Sequence, residues 1–254
     1  MGALIRNLLL GKSRVIFWVL LGILFILNLL YKWSLVNTFA PDLGGFERNV
    51  ILGIQQILLG KGLYSNPETA PFFIIQYMPL YYHLVAGLAT VFQIDPTAAH
   101  SLYQLARGTN LILILGSCFL LFQTASQHFK VPKSIAIPTA LLAFFWMEKF
   151  TLSGRPDTLK AFLFQGLVYI LLSFPEKRKR WIFPMACLIG SMGFATKQDG
   201  LVFLGILPLA LLFGGNWMET FVWGLISALG IGLVVGFSQT ILSTDFLANV
   251  AGGL

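Results

Sequence analysis

The sequence predicts an all-α protein that is embedded in a membrane. Of its 254 residues, 57% are hydrophobic and 11% are charged, and the mean hydropathy is +0.80. The apolar runs are continuous rather than alternating, which favours membrane-spanning helices over the strands of a barrel. The net charge of +7 comes from short basic clusters between these runs. Such clusters set membrane orientation and do not indicate nucleic-acid binding.

The first apolar run, from about Val15 to Tyr31, is expected to be a retained membrane span. Three basic residues, Arg6, Lys12 and Arg14, precede it, as in a signal peptide. The run is longer than a signal peptide needs, however, and no small-residue cleavage site follows it. Because basic residues favour the cytoplasmic side of a membrane, we expect the N-terminus to lie in the cytoplasm.

Seven more apolar runs follow, at residues 79–94, 108–124, 134–151, 158–174, 181–196, 200–215 and 218–241. If all eight runs crossed the membrane, the basic clusters at residues 130–133 and 177–180 would lie outside, against the positive-inside rule. Residues 79–94 form the weakest candidate, because this run is short for a hydrocarbon core of about 30 Å and begins at Pro79. Treated as a helix that enters the outer leaflet without crossing, it leaves seven spans.

The long first outer loop, residues 36–107, is expected to carry helices of its own. Residues 46–59 predict a helix with an apolar face made of Phe46, Val50, Ile51, Ile54, Ile57 and Leu58. The other face is polar, and Gly60 and Gly62 end the pattern. We therefore expect an amphipathic helix that lies in the membrane interface.

Ionisable residues gather on the outer face in this topology, and they indicate group-transfer chemistry. They are Asp42, Glu47, Arg48 and Lys61 in the first loop, Arg107 at the start of the second span, Arg155 and Asp157 after the third, and Lys197 and Asp199 after the fifth. Each one alone is typical of solvated loop charges, so the combination carries the inference. A carboxylate can take the proton of an attacking hydroxyl, and cations can stabilise a leaving phosphate. No GxxxxGK[ST] loop is present, which disfavours ATP chemistry.

Several motifs in this order resemble the polytopic glycosyltransferases of the GT-C fold. An early acid in the first outer loop is followed by "ILLGKGLYSNP" and "YMPLYYHLVAGLATVF", then by an Arg that opens the next span and an Asp after the span beyond. The family includes protein O-mannosyltransferases, aminoarabinose transferases of lipid A and related bacterial enzymes. The resemblance covers nearly the whole chain and implies one transmembrane module over residues 1–254. Members usually continue past the seventh span, so the expectation is a truncated or minimal member.

The resemblance implies an inverting transfer of a sugar from a polyprenyl-phosphate donor to the hydroxyl of a glycan, lipid or protein acceptor. It implies a place in a bacterial inner membrane, among membrane lipids. By spacing from "GKGLY", Glu47 corresponds to the family's catalytic base, with Asp42 as the runner-up. Asp157 corresponds to a second acid that positions the acceptor or helps to hold a divalent cation in some members.

Further residues are expected to bind the donor in such an enzyme. The candidates for the lipid phosphate are Arg155, Lys197, Arg107 and Arg48. Tyr77 and Tyr81 are candidates for the donor groove, although an aromatic belt at the membrane interface is the alternative role for both.

Two other functions remain open at this point. A transporter or lipid flippase would carry polar groups near the middle of its spans, but the six apolar runs after residue 107 hold few, among them Gln123, Gln165 and Gln239, and no charge at mid-depth. A non-catalytic membrane subunit would keep the fold and tolerate the loss of Glu47 and Asp157.

Overall fold

The computed structural model describes residues 2–38, 46–68, 74–147, 153–173 and 181–251, and within these ranges the regular structure is entirely helical. The α-helices of this part are α1 (Gly2–Asn37), α2 (Phe46–Leu58), α3 (Leu80–Val91), α4 (Ala99–Gln123), α5 (Lys133–Trp146), α6 (Asp157–Leu172), α7 (Ile182–Thr196), α8 (Leu201–Phe213), α9 (Trp217–Phe237) and α10 (Phe246–Ala251). Single π-helical turns, Thr124–His128 and Ser238–Leu242, extend α4 and α9.

Three helical segments of the described chain are long and apolar enough to cross a membrane: Ser13–Asn37, Ala99–His128 and Trp217–Leu242. The prediction of a membrane protein is therefore supported at this coarse level. The four other predicted spans correspond to α5, α6, α7 and α8, which have 14, 16, 15 and 13 residues. At 1.5 Å per residue these helices are about 20–24 Å long, short of a ~30 Å core. Seven spans stay a prediction.

The weak apolar run at 79–94 forms α3, a helix of only 12 residues. Its length of about 18 Å is well below the thickness of a hydrocarbon core. Pro79 stands directly before its first residue. One face of α3 is buried in the protein through Tyr81, Tyr82, Val85, Ala86 and Ala89, and it packs on α2, α4 and α7.

The predicted amphipathic helix at 46–59 is present as α2, but its buried face differs from the predicted one. Val50, Ile51 and Ile54 are buried as expected, whereas Phe46 is 42% exposed. Glu47 takes its place, because residues 47, 50, 51 and 54 follow the i, i+3, i+4, i+7 spacing of one helical stripe. This stripe packs against α3 and α4, so α2 buries its apolar side in the protein.

One end of the helix bundle brings together six of the predicted outer-face residues, Glu47, Arg107, Arg155, Asp157, Lys197 and Asp199. There the last turn of α1 contacts Arg107 of α4, α4 contacts the segment before α6, and Lys197 after α7 contacts the start of α6. We call this the site end. At the opposite end, Ser173 after α6 lies beside His128 after α4. Helices α4 and α6 therefore run in the same direction, with α5 returning between them.

The turn between α7 and α8 approaches α7 closely, with Gly200 of the turn against Gly193 of the helix. A Cβ atom on Gly200 would lie 2.1 Å from the carbonyl oxygen of Gly193 and 2.4 Å from its carbonyl carbon. Because both obstacles are backbone atoms, no side-chain rotation could relieve the clash. Gly200 thus permits the tight turn Gln198–Gly200 that places Lys197 at the site end.

We expect Gly200→Ala to lower the free energy of unfolding by about 1–3 kcal/mol, because the added methyl group must displace the backbone of α7. Gly205→Ala is the matched control on α8, where a Cβ atom would meet nothing within 4 Å. That control should be neutral or stabilising by up to about 1 kcal/mol. Thermal unfolding of the purified protein in detergent measures both. Equal melting temperatures for the two variants would contradict the close approach.

Candidate functional site

A fully buried ion pair joins Glu47 of α2 to Arg107 of α4. The Nε of Arg107 donates to Glu47 Oε1 at 2.7 Å, and Nη2 donates to Oε2 at 2.7 Å. Glu47 is 0% exposed and Arg107 is 2% exposed. This is the bidentate geometry in which guanidinium and carboxylate groups bind each other most strongly.

The same two side chains also hold the backbone of two other segments. The amide of Gly154 donates to Glu47 Oε1 at 2.6 Å. The Nη1 of Arg107 donates to the carbonyl of Thr38 at 2.5 Å and to that of Leu35 at 3.3 Å. The pair therefore connects the end of α1, the start of α2, the first half of α4 and the segment before α6.

Gly154 has no room for a side chain at this junction. A Cβ atom there would lie 2.7 Å from Cβ of Ala106 and 3.2 Å from Glu47 Oε1. Glycine thus allows the segment before α6 to approach both the carboxylate and α4.

Asn110 and Tyr81 complete the hold on this segment. The Nδ2 of Asn110 donates to the carbonyls of Ser153 at 2.6 Å and Arg155 at 3.1 Å, and the Tyr81 hydroxyl donates to Asn110 Oδ1 at 3.1 Å. Tyr81 is fully buried. The sequence predicts a place for Tyr81 in a donor groove or in an aromatic belt. Its position fits neither role, because its ring packs in the core and its hydroxyl donates to Asn110.

A second ion pair at the site end is partly open to solvent. Lys197 Nζ lies 2.7 Å from Asp157 Oδ1, with side chains 25% and 20% exposed. Asp157 is the first residue of α6, where a helix N-terminus favours a negative charge. The Lys197 ammonium also lies 5.4 Å from the ring centroid of Tyr77. This group of three side chains is the candidate reactive site.

The charge of Lys197 is favoured by its surroundings. Partial burial alone would lower the pKa of the amine, but the hydrogen bond and charge of Asp157, with the charge of Asp199, raise it above its usual value. Lys197 is therefore a cation over the whole physiological pH range and suits binding of an anionic group.

An open apolar groove of about 560 Å³ is lined in part by residues that lie close to this site along the chain. It lies between α3, α7 and α9, and its lining residues are Pro79, Leu80, His83, Ala195, Leu233, Val234, Phe237, Ser238 and Leu242. Ala195 stands two residues before Lys197, and Pro79 stands two residues after Tyr77. The lining of the groove therefore comes within two residues of the partly exposed Lys197 along the chain.

The remaining predicted residues lie in different environments. Arg155 is half-buried, and its guanidinium carbon lies 4.9 Å from the ring centroid of Phe46. Arg48 is exposed on the outer face of α2. Asp42 lies outside the described residues. Glu47 accepts a hydrogen bond from Gly154, and Gly154 precedes Asp157 by three residues. The Cα atoms of Gly154 and Asp157 are therefore at most about 11 Å apart, so the buried pair lies near the partly open one.

Two predicted roles do not fit this geometry. Glu47 was expected to take a proton from the acceptor, but its buried oxygens accept hydrogen bonds from Arg107 and Gly154. Arg107 was expected to bind a lipid phosphate, but it is buried against Glu47 and α1. The sequence held a signal for both, since Glu47 falls on the stripe of Val50 and Ile51, and Arg107 precedes the buried Leu111 by four positions.

No metal centre can be assigned within the described part of the chain, where no three His, Cys, Asp or Glu side chains are grouped. The divalent cation implied by the resemblance therefore has no assigned ligand set in these ranges.

Searches of protein-family models, curated protein sequences and solved structures gave no match to the chain.

We expect Glu47→Gln to destabilise the protein by about 3–5 kcal/mol, because it leaves the buried charge of Arg107 without its counter-charge. Arg48→Gln is the matched control on the next, exposed position, and it should change stability by less than about 0.5 kcal/mol. Thermal or chemical unfolding in detergent gives both values. Similar stability of the two variants would show that the Glu47–Arg107 pair is not formed as described.

We expect Asp157→Asn to speed the acylation of Lys197 by an amine-reactive ester at pH 8.5. Only the neutral amine reacts, and loss of the Asp157 charge lowers the pKa of Lys197 and so enlarges the neutral fraction, by roughly threefold or more. Peptide mass spectrometry measures the rate at each lysine, with the exposed Lys61 as the internal reference. An unchanged rate at Lys197 would contradict the ion pair.

Proposed function

We propose that the chain is a membrane transferase that moves a sugar from a polyprenyl-phosphate donor to an acceptor hydroxyl at the site end. The observation that carries this proposal is an apolar groove whose lining includes Ala195 and Pro79, each two residues along the chain from Lys197 or Tyr77 of the partly exposed site. An isoprenoid chain needs an apolar surface open to lipid, and its phosphate needs a cation at the end of that surface. The groove offers the first feature, and Lys197, two residues along the chain from the lining residue Ala195, offers the second.

Lys197 is assigned to the donor phosphate, with Arg155 as a second cation nearby in the chain. An amine that stays charged stabilises the negative charge that develops on a leaving phosphate oxygen. Lys197 lies against Asp157 in the present structure, so the phosphate would take the place of that carboxylate as its partner. The Tyr77 ring supports the ammonium from one side.

Asp157 is assigned as the general base in place of Glu47. Asp157 is one-fifth exposed and stands at a helix N-terminus. If the Lys197 side chain moved to the donor phosphate, the carboxylate oxygens of Asp157 would be open to an acceptor. In the proposed step Asp157 removes the hydroxyl proton, the acceptor oxygen bonds to the anomeric carbon, and the bond from that carbon to the phosphate oxygen breaks. The polyprenyl phosphate leaves with the electron pair, and the configuration inverts.

The proposal includes the seven-span topology in a bacterial inner membrane, with the site end outside and the N-terminus in the cytoplasm. The alternating directions of α4, α5 and α6 support an odd number of crossings between the N-terminus and the site end after α7. The charge pattern of the sequence supports the orientation. A lipid-linked donor would then reach the groove along the outer leaflet.

We expect the purified protein to bind undecaprenyl phosphate but not undecaprenol, because the phosphate contact with Lys197 supplies much of the affinity. Lys197→Gln should weaken this binding by roughly 10- to 100-fold, the effect of one charge-assisted hydrogen bond. Lys61→Gln, which removes an exposed lysine of the first loop, is the matched control and should leave binding unchanged. Native mass spectrometry in detergent resolves these complexes.

A transfer assay beside the binding measurement tests the general base. Asp157→Asn should bind undecaprenyl phosphate at least as tightly as the unaltered protein, since it releases Lys197, yet lose transfer from radiolabelled undecaprenyl-phosphate sugars to membrane acceptors. Equal binding of undecaprenol would overturn the phosphate site. Full transfer by Asp157→Asn would overturn the assignment of the base, and phosphate-dependent binding with no transfer by any form would favour a lipid carrier.

A further inference from the structure

We propose that Glu47 is a positioning residue that acts with Arg107 and Asn110 to hold residues 153–155 and thereby to place Asp157. Its consequence for catalysis rests on the proposed function, whereas the hold on the segment does not. The inference gives a buried acidic residue a role that requires no contact with substrate.

Three consecutive residues of the segment are fixed through their backbone. The carbonyls of Ser153 and Arg155 accept hydrogen bonds from Asn110, and the amide of Gly154 between them donates to Glu47. The Arg155 guanidinium adds a contact with Phe46, the residue before Glu47. The first turn of α2 and the first half of α4 therefore grip the same short segment.

The constraint reaches Asp157 through a stiff connection. Pro156 is buried and has φ −68°, a torsion that its ring fixes, and Asp157 then begins α6. Few freely rotating bonds separate the held residues from the Asp157 backbone. A displacement of Gly154 would therefore move the start of α6 relative to Lys197, which belongs to the separate turn after α7.

The burial of two charges argues for a geometric role rather than for stability. Replacing a buried ion pair by apolar side chains of similar size is often neutral or stabilising. Such a replacement here would remove the acceptor of the Gly154 amide and the Arg107 donor to the carbonyls of Leu35 and Thr38. The carboxylate binds Arg107 and Gly154 together, which no apolar residue can do.

The deciding experiment uses the full chain with the double substitution Glu47→Leu and Arg107→Met. We expect this variant to lose less stability than Glu47→Gln, because it leaves no buried charge unpaired, while amide hydrogen exchange in peptides covering residues 153–160 rises at least about tenfold. The matched control removes another ion pair of the site end, Lys160→Gln with Asp199→Asn, whose lysine and aspartate are 21% and 56% exposed. That control should leave exchange in these peptides within about twofold.

A single substitution, Asn110→Leu, guards against failure of the double variant to fold. It leaves the Glu47–Arg107 pair in place and removes both hydrogen bonds that Asn110 Nδ2 donates to the carbonyls of Ser153 and Arg155. Exchange in residues 153–160 should again rise. Unchanged exchange in the folded double variant, or in Asn110→Leu, would overturn the inference.

The activity of the double variant tests the catalytic consequence. Binding of undecaprenyl phosphate should remain within about threefold, because Lys197 is untouched, while transfer falls by the order of 100-fold through misplacement of Asp157. The residual transfer rate of Glu47→Gln should still fall at low pH, as the rate of the unaltered protein does, which is the acid limb of its pH profile. Loss of that limb would make Glu47 itself the base and would overturn the inference. Full transfer by Asp157→Asn would instead overturn only the proposed function and leave the exchange result standing.

Discussion

The site end depends on the buried ion pair between Glu47 and Arg107. Taking two charges out of water costs several kcal/mol per ion, and only close geometry with further hydrogen bonds offsets this cost. The pair meets that condition with two contacts of 2.7 Å, the Gly154 amide on the carboxylate, and the carbonyls of Leu35 and Thr38 at the end of α1 on the guanidinium. These partners are far apart in the chain. The packing of α1, α2, α4 and the start of α6 is therefore specified by one charge pair that is satisfied only when all four segments are in place.

Two ion pairs of the same chemistry thus serve different purposes because their burial differs. Glu47 and Arg107 are sealed from solvent, so their geometry is fixed and their exchange with other partners is costly. Asp157 and Lys197 are each about one-fifth to one-quarter exposed, so water or an anionic ligand can compete for either group. Gly154, whose amide the rigid pair holds, precedes Asp157 of the adaptable pair by three residues, with Pro156 between them. Rigidity around a polar site that can exchange its partners is the arrangement that preorganised sites require.

The sequence predicted local features better than distant contacts, for physical reasons. Helix α2 followed from the period of its apolar residues and the glycines after it, and α3 from Pro79 and a run too short to cross a bilayer. The grouping of Asp157 with Lys197 at one end followed from the order of the apolar runs. The Glu47–Arg107 contact joins residues 60 positions apart, so no local pattern indicates it. To predict it, one must assume that an acid and an arginine on apolar stripes pair with each other and are not solvated. Arg48 is adjacent to Glu47 in the chain but is exposed, because successive residues of a helix point to different sides.

The state of Lys197 bears on the order of events in the proposed reaction. While Asp157 holds the ammonium, its Oδ1 is engaged at 2.7 Å, and a carboxylate in that contact is a poor acceptor for a hydroxyl proton. A donor phosphate that draws Lys197 toward the groove would free the carboxylate at the moment when the leaving group arrives. The base would then become available only when the electrophile is bound. Such coupling disfavours attack before the donor is seated, and it requires that Asp157 stay in place when its lysine departs. Glu47, Arg107 and Asn110 meet that requirement, because they fix residues 153–155, directly before Asp157, through contacts that do not involve Lys197.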